Sequence, residues 1–261
     1  MVSDQLAING GTSGPPARNF IPGRFMTALG VAIIIFLVAI LLPKLLLTGK
    51  IVPLLTTQAT ELVLSLGAIM ILGKGRFSDF GFRRPGPDHL SRSPLARWIP
   101  AGLGALALGA SATGAVLISG AAGNPFIGQL TFPQIILFVW IFSSIIEEIF
   151  TRGFLQGYLS TATTASVRLL FFRVDLPTLI SALFFACMHL VLLLRGADVR
   201  TMVIILAFTF SLGLMAGHQR AKTGSLLPAI GVHMLANIGG VIGGMVYAII
   251  TIMTGGTLPQ M

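Results

Sequence analysis

Seven predominantly apolar stretches of about twenty residues run through this 261-residue chain, each long enough for an α-helix to cross a bilayer core roughly 30 Å thick. Inside hydrocarbon every backbone N–H and C=O must find its partner within the protein, so only helices and closed barrels span. Barrel strands of about 9–11 residues are too short to match these runs. They are Phe25 to Leu47, Ile51 to Leu72, Trp98 to Ala121, Phe132 to about Gly157, Leu176 to Leu194, Thr201 to Gly217, and Ser225 to about Met253. The chain is 54% hydrophobic and only 10% charged, with mean hydropathy +0.92, against roughly 25% charged residues in a soluble domain. The expected fold class is all-α, a polytopic membrane bundle of seven or eight helices. The count stays open because the last stretch is long for one upright helix, and Gly239-Gly240 and Gly243-Gly244 offer break points.

Seventeen basic and eight acidic residues give a net charge of +9. In a soluble chain that excess would suggest a nucleic-acid surface; in a membrane chain it records topology, and no nucleic-acid partner is expected. With the N-terminus cytoplasmic, thirteen basic residues fall inside and four outside, which favours that orientation in a cell (plasma) membrane. Residues 1–24 lack a helical period and are rich in Gly, Pro and Ser, so they read as a disordered cytoplasmic tail. Residues 25–261 read as one transmembrane domain. The first span reads as an uncleaved anchor. Gly73 to Arg97 reads as a surface loop that touches anionic headgroups. The single cysteine, Cys187, excludes an internal disulfide.

Glu147 and Glu148 end the apolar run Phe132 to Phe150, and Arg152 follows. At roughly 2.5–3.5 kcal/mol per ionised side chain near a bilayer midplane, this trio carries on the order of 8–10 kcal/mol before pairing. Residues four apart share a helix face, so Arg152 can neutralise Glu148 while Glu147, about 100° around the helix, stays free. The same spacing joins Phe185 to His189, and His233 to Asn237. At 1.5 Å per residue, Glu147, His233 and His189 lie about 15, 12 and 20 Å from their helix ends. Within helix tilt these depths overlap, so a single buried polar site is possible.

Such a set supplies what peptide hydrolysis needs. A carboxylate in a low-dielectric setting can take a proton from water. One imidazole can hold the water or shuttle the proton, while a second imidazole and an amide can donate to the oxyanion. The same residues also suggest a divalent metal such as zinc, with Glu147, His189 and His233 as candidate ligands, although the chain has no HExxH to fix two histidines one turn apart.

The pattern EExxxR at Glu147, Glu148 and Arg152, then FxxxH at Phe185 to His189, then HxxxN at His233 to Asn237, resembles the CPBP family. That family comprises type II CAAX prenyl endopeptidases and related bacteriocin-processing, Abi-like membrane proteins. Gly213, Gly217 and Thr223-Gly224-Ser225 resemble its GxxxG and TGS pattern, and Phe80 to Pro85 its loop before the core. The resemblance covers about residues 132–240. It implies an intramembrane endopeptidase acting on a membrane-associated peptide or protein. Glu147 would activate water with His189, His233 and Asn237 would form the oxyanion site, and Glu148 with Arg152 would stabilise the acidic motif.

Plainer readings stand beside these. Glu148 with Arg152 can be a helix-end ion pair, the histidines interhelical hydrogen-bond donors, and Asn237 helix-packing glue. Gly213 and Gly217 allow close helix approach. Phe185 reads as core that shields His189, and His218 and His89 as solvated. Glu61 either bonds to neighbouring helices or borders the cavity. The alternative function is a non-catalytic membrane scaffold or immunity factor of the same fold. A proton-coupled transporter ranks last, since corresponding broken helices are not evident.

Overall fold

The computed structural model of the protein describes residues 20–46, 51–85, 94–120, 130–169 and 172–256. Within them seven helices are long and apolar enough to cross a membrane. They are α1 (Pro22–Leu46), α2 (Ile51–Leu72), α3 (Pro94–Ile118), α4 (Phe132–Ala162), α5 (Leu176–Arg195), α6 (Val199–Thr223) and α7 (Leu227–Met253). The protein is an integral membrane protein of helical-bundle class. Its exposed Ile33, Ile34, Leu37, Leu41, Ile249 and Ile252 are the lipid-facing surface that such a bundle needs.

Local chemistry sets the helix ends. Thr131 and Gln134 form a reciprocal capping box at the start of α4, with Pro133 in the first turn. Asp175 accepts from Thr178 N at 2.7 Å to start α5, and Asp198 accepts from Arg200 N and Thr201 N to start α6. Gly224, at φ +69°, closes α6. The first helix starts at Pro22 rather than Phe25, because Pro at an opening position is compatible with the helix. Residues 1–19, and with them most of the expected tail, lie outside the described residues, as does His89.

α7 is continuous, which favours seven spans over eight. Its glycines are not break points. A Cβ on Gly239 or Gly243 would strike the backbone of Leu106 or Ala110 in α3, and one on Gly109 would strike Ala236. Small residues let these two helices meet backbone to backbone, where lipid leaves no hydrophobic drive for association. The α5–α6 seam works likewise: a Cβ on Gly213 would lie 2.8 Å from Ala182 Cα, and one on Gly217 2.8 Å from Thr178 Cγ2.

α4 is the central rod, with every residue from Glu148 to Gly157 buried. It is not a plain α-helix. Ile135–Ser143 and Ile149–Gln156 are π-helical and flank the short α segment Ser144–Glu148. Runs of π-helix are rare and frequent at functional sites. Between α4 and α5 a two-stranded antiparallel hairpin, β1 (Ser166–Leu169) with β2 (Phe172–Asp175), pairs Arg168 with Arg173. The apolar-run reading gave no sign of it.

The loop after α2 differs from a plain headgroup-facing segment. Phe80 is buried and packs against Gly157 of α4. Arg220 donates to the Asp79 carbonyl at 2.8 Å, Arg83 Nε donates to the Gly224 carbonyl at 2.9 Å, and Ser225 Oγ donates to the Arg83 carbonyl at 2.6 Å. These long-range bonds staple the loop onto the α6–α7 turn.

Candidate active site

Glu148 and Arg152 are 0% exposed, and Arg152 Nη1 lies 2.9 Å from Glu148 Oε1. Because α4 runs on to Ala162, the pair is interior. The helix-end reading is therefore set aside. Taking a charge pair this deep out of water is costly, and Glu148 Oε2, Arg152 Nε and Arg152 Nη2 are buried without a hydrogen-bond partner. Arg152 Nη1 also donates to Thr151 Oγ1 at 2.6 Å, and its guanidinium carbon lies 4.4 Å from the Phe185 ring centroid, a cation–π contact.

The third cluster enters through His233. Its Nδ1 lies 2.9 Å from the same Glu148 Oε1 that Arg152 holds. A carboxylate accepts, so Nδ1–H donates and Nε2 is turned away from Glu148. That Nε2 stands 3.9 Å from Glu147 Oε2, beyond a direct hydrogen bond. The other Glu147 oxygen accepts from Ser143 Oγ one turn earlier. Glu147 thus keeps one oxygen toward an imidazole that its neighbour Glu148 orients.

Phe185 holds the histidines together. Its ring meets His189 edge to face at 5.1 Å and His233 at 5.6 Å between centroids, in the T-shaped geometry aromatic rings prefer. It is more than a shield for His189, since one ring touches members of all three sequence clusters. His189 sits where α5 tightens into a 3₁₀ turn, and its Nδ1–H donates to the Phe185 carbonyl at 2.9 Å, which leaves Nε2 as the acceptor. His189 lies within electrostatic reach of Glu147, His233 and Arg152.

Asn237 stands one turn beyond His233. Its Nδ2 donates to Ser144 Oγ at 3.1 Å and to the Val139 carbonyl at 3.3 Å, so its amide ties α7 to the π segment of α4. The structure brings Glu147, Glu148, Arg152, Phe185, His189, His233 and Asn237 to one region. Around them stand residues that periodicity did not single out. Ser143 and Ser144 could have been found from their positions four and three before Glu147. Gln58 Nε2 donates to the Phe138 carbonyl at 2.9 Å, and Glu61 is buried within electrostatic reach of Glu147. Their signal was only the presence of polar side chains in an apolar run. His218 is exposed, as expected.

The metal expectation fares differently. Among the described residues no three His, Cys, Asp or Glu side chains are grouped to hold a metal ion. Glu147, His189 and His233 are therefore not assembled as a ligand set, and Glu148 already engages one imidazole through Nδ1 beside a guanidinium. We derive no step through a metal.

Carboxylates, imidazoles and an amide thus converge within a membrane-embedded helical bundle. Residues 129–239 match the family model of the type II CAAX prenyl endopeptidases, Rce1-like. This stretch is an Rce1-like domain. All seven residues above fall within the match. No curated protein and no solved structure matches the chain.

Proposed function

We propose that the chain is an intramembrane endopeptidase that hydrolyses a peptide bond of a membrane-associated protein or peptide, using water activated by Glu147. The observation that carries this reading is the His233 imidazole, held by Glu148 at 2.9 Å through one nitrogen and facing Glu147 at 3.9 Å with the other. That gap admits a water touching both groups. Glu147 takes a proton as the water oxygen adds to the substrate carbonyl carbon. His189, with Nε2 as acceptor, holds the water or relays the proton. With Nδ1–H held by Glu148, His233 donates to the oxyanion through Nε2–H only as the doubly protonated imidazolium, whose charge stands beside the carboxylates of Glu147 and Glu148. As the C–N bond breaks, the proton carried by Glu147 passes to the leaving nitrogen.

Asn237 has a double part in this proposal. In the resting arrangement its amide locks α7 against α4 and so sets the height of His233. A direct bond from it to the oxyanion would require exchange of its bonds to Ser144 and Val139 on substrate entry. The basic end of the bundle is proposed to face the cytoplasm of a cell membrane, with the N-terminus on that side.

The test is Glu147→Gln in purified full-length protein, assayed on a membrane-tethered peptide. General-base loss predicts a fall in cleavage of about 10²–10⁴-fold with unchanged helicity and elution volume. Undiminished cleavage would remove Glu147 from the mechanism. A cellular phenotype that survives the substitution would favour the scaffold reading.

A further inference from the structure

A second polar site lies apart from the Glu147 centre. Where α4 and α6 end and α5 begins, a cavity of about 360 Å³ opens between these helices and the loop after α2, at the small end of the usual range for ligand pockets, roughly 300–1,000 Å³. None of Glu147, Glu148, Arg152, His189 or His233 lines it. Along α4 the fully buried Phe154 and Leu155 stand between Arg152 and the cavity-lining Gln156.

Its walls are built. Arg220 is 9% exposed and Gln156 3%, and both line the cavity. Arg220 Nη2 is taken by the Asp79 carbonyl at 2.8 Å, yet its Nε is buried without a partner, as is Gln156 Oε1. Arg83 also lines the cavity and uses Nε on the Gly224 carbonyl, leaving further donors of its guanidinium fork. The two guanidinium groups lie within electrostatic reach of each other, an arrangement that repels unless an anion sits between them. The two carboxylates at the rim are already engaged. Asp175 caps α5 through both oxygens, at 2.7 and 2.9 Å, and Asp79 pairs with Arg76 at 3.4 Å on the surface. Thr163 accepts from Ala165 N at 3.0 Å, so its hydroxyl proton is available to donate.

We propose that this cavity binds a phosphate group, held between the guanidinium groups of Arg83 and Arg220 with the Thr163 hydroxyl as a third donor. Guanidinium forks match phosphate oxygens in bidentate geometry. The cavity lies where helix ends meet, the depth at which lipid headgroups stand, and its volume exceeds what inorganic phosphate needs. A phospholipid headgroup is the favoured source. A bound phosphate would tie the loop, α4 and the α6–α7 turn together at one end of the bundle. The inference is independent of the peptidase reading.

The experiment uses full-length protein in neutral detergent. Phosphatidylglycerol, diacylglycerol with the same chains, inorganic phosphate, and a short peptide with a free C-terminal carboxylate are titrated separately, with retained adducts read by native mass spectrometry. Phosphatidylglycerol should bind, diacylglycerol should not, and Arg83→Gln should weaken binding about tenfold, as loss of a charge-assisted hydrogen bond predicts. Glu147→Gln should bind like the unaltered chain. Binding of inorganic phosphate as tightly as the lipid supports the site with free phosphate as its source. Because Arg220→Gln also frees Asp79 and could unfold the loop, Arg83→Gln, on an exposed residue, and Thr163→Val decide the matter. Unchanged lipid binding in both, equal binding of diacylglycerol, or binding of the peptide alone would overturn the proposal.

Discussion

Two seams of this bundle solve the same problem in opposite ways. Between α3 and α7 the helices meet because side chains are missing, with Gly109, Gly239 and Gly243 laid against facing backbone. Around α4 they meet because side chains are polar: Glu148 is shared by Arg152 and His233, and Asn237 reaches back to Ser144 and Val139. Lipid gives neither seam a hydrophobic drive, so packing and interhelical hydrogen bonds must supply the association. The glycine seam provides a rigid wall, and the polar seam holds the residues of the proposed active site. α7 is thus divided along its length: His233 and Asn237 on its earlier turns face α4, while Gly239 and Gly243 press on α3.

Breaking the polar seam should have the larger effect on stability. Glu148→Ala leaves Arg152 and His233 without their shared acceptor in a fully buried position, and loss of one partner of a buried pair costs about 3–5 kcal/mol. Thermal unfolding in detergent should show a large drop, while Glu148→Gln, which keeps an acceptor oxygen, should recover part of it. In the glycine seam, Gly239→Leu forces α3 and α7 apart. Overpacking of this kind costs about 1–3 kcal/mol. Activity should fall with it in proportion to the displacement of His233, without a selective loss of the chemical step. The smallest effect belongs to Asn237→Ala. Interhelical hydrogen bonds in membranes average about 0.6 kcal/mol each, so unfolding should shift by about 1 kcal/mol. A drop in turnover much larger than that shift would add the oxyanion role to its positioning one.

Much of this arrangement was legible in the residues themselves. Run length gave the spans, since hydrocarbon thickness fixes it, and the four-residue spacing gave the Glu148–Arg152 and Phe185–His189 pairs directly. What a one-dimensional period cannot say is which helix a polar face will meet. The bond between His233 and Glu148 joins residues 85 apart, and Phe185 was legible as a neighbour of His189 but not of Arg152. Gly239 and Gly243 read as break points because glycine weakens an isolated helix, yet close backbone approach outweighs that propensity here. The π-helical stretches on either side of Ser144–Glu148 leave no mark in composition. The stapling of Phe80–Arg83 to the α6–α7 turn was hidden because its bonds join loop backbone to distant side chains.

The central claim is that the two adjacent glutamates do different work, one on the substrate and one on the protein. Turnover of a membrane-tethered peptide and thermal stability, measured side by side for Glu147→Gln and Glu148→Ala, test it most directly. The account predicts that Glu147→Gln loses cleavage by about 10²–10⁴-fold with its unfolding temperature unchanged, whereas Glu148→Ala loses stability first. Equal loss of stability in the two, or full turnover in Glu147→Gln, would contradict it.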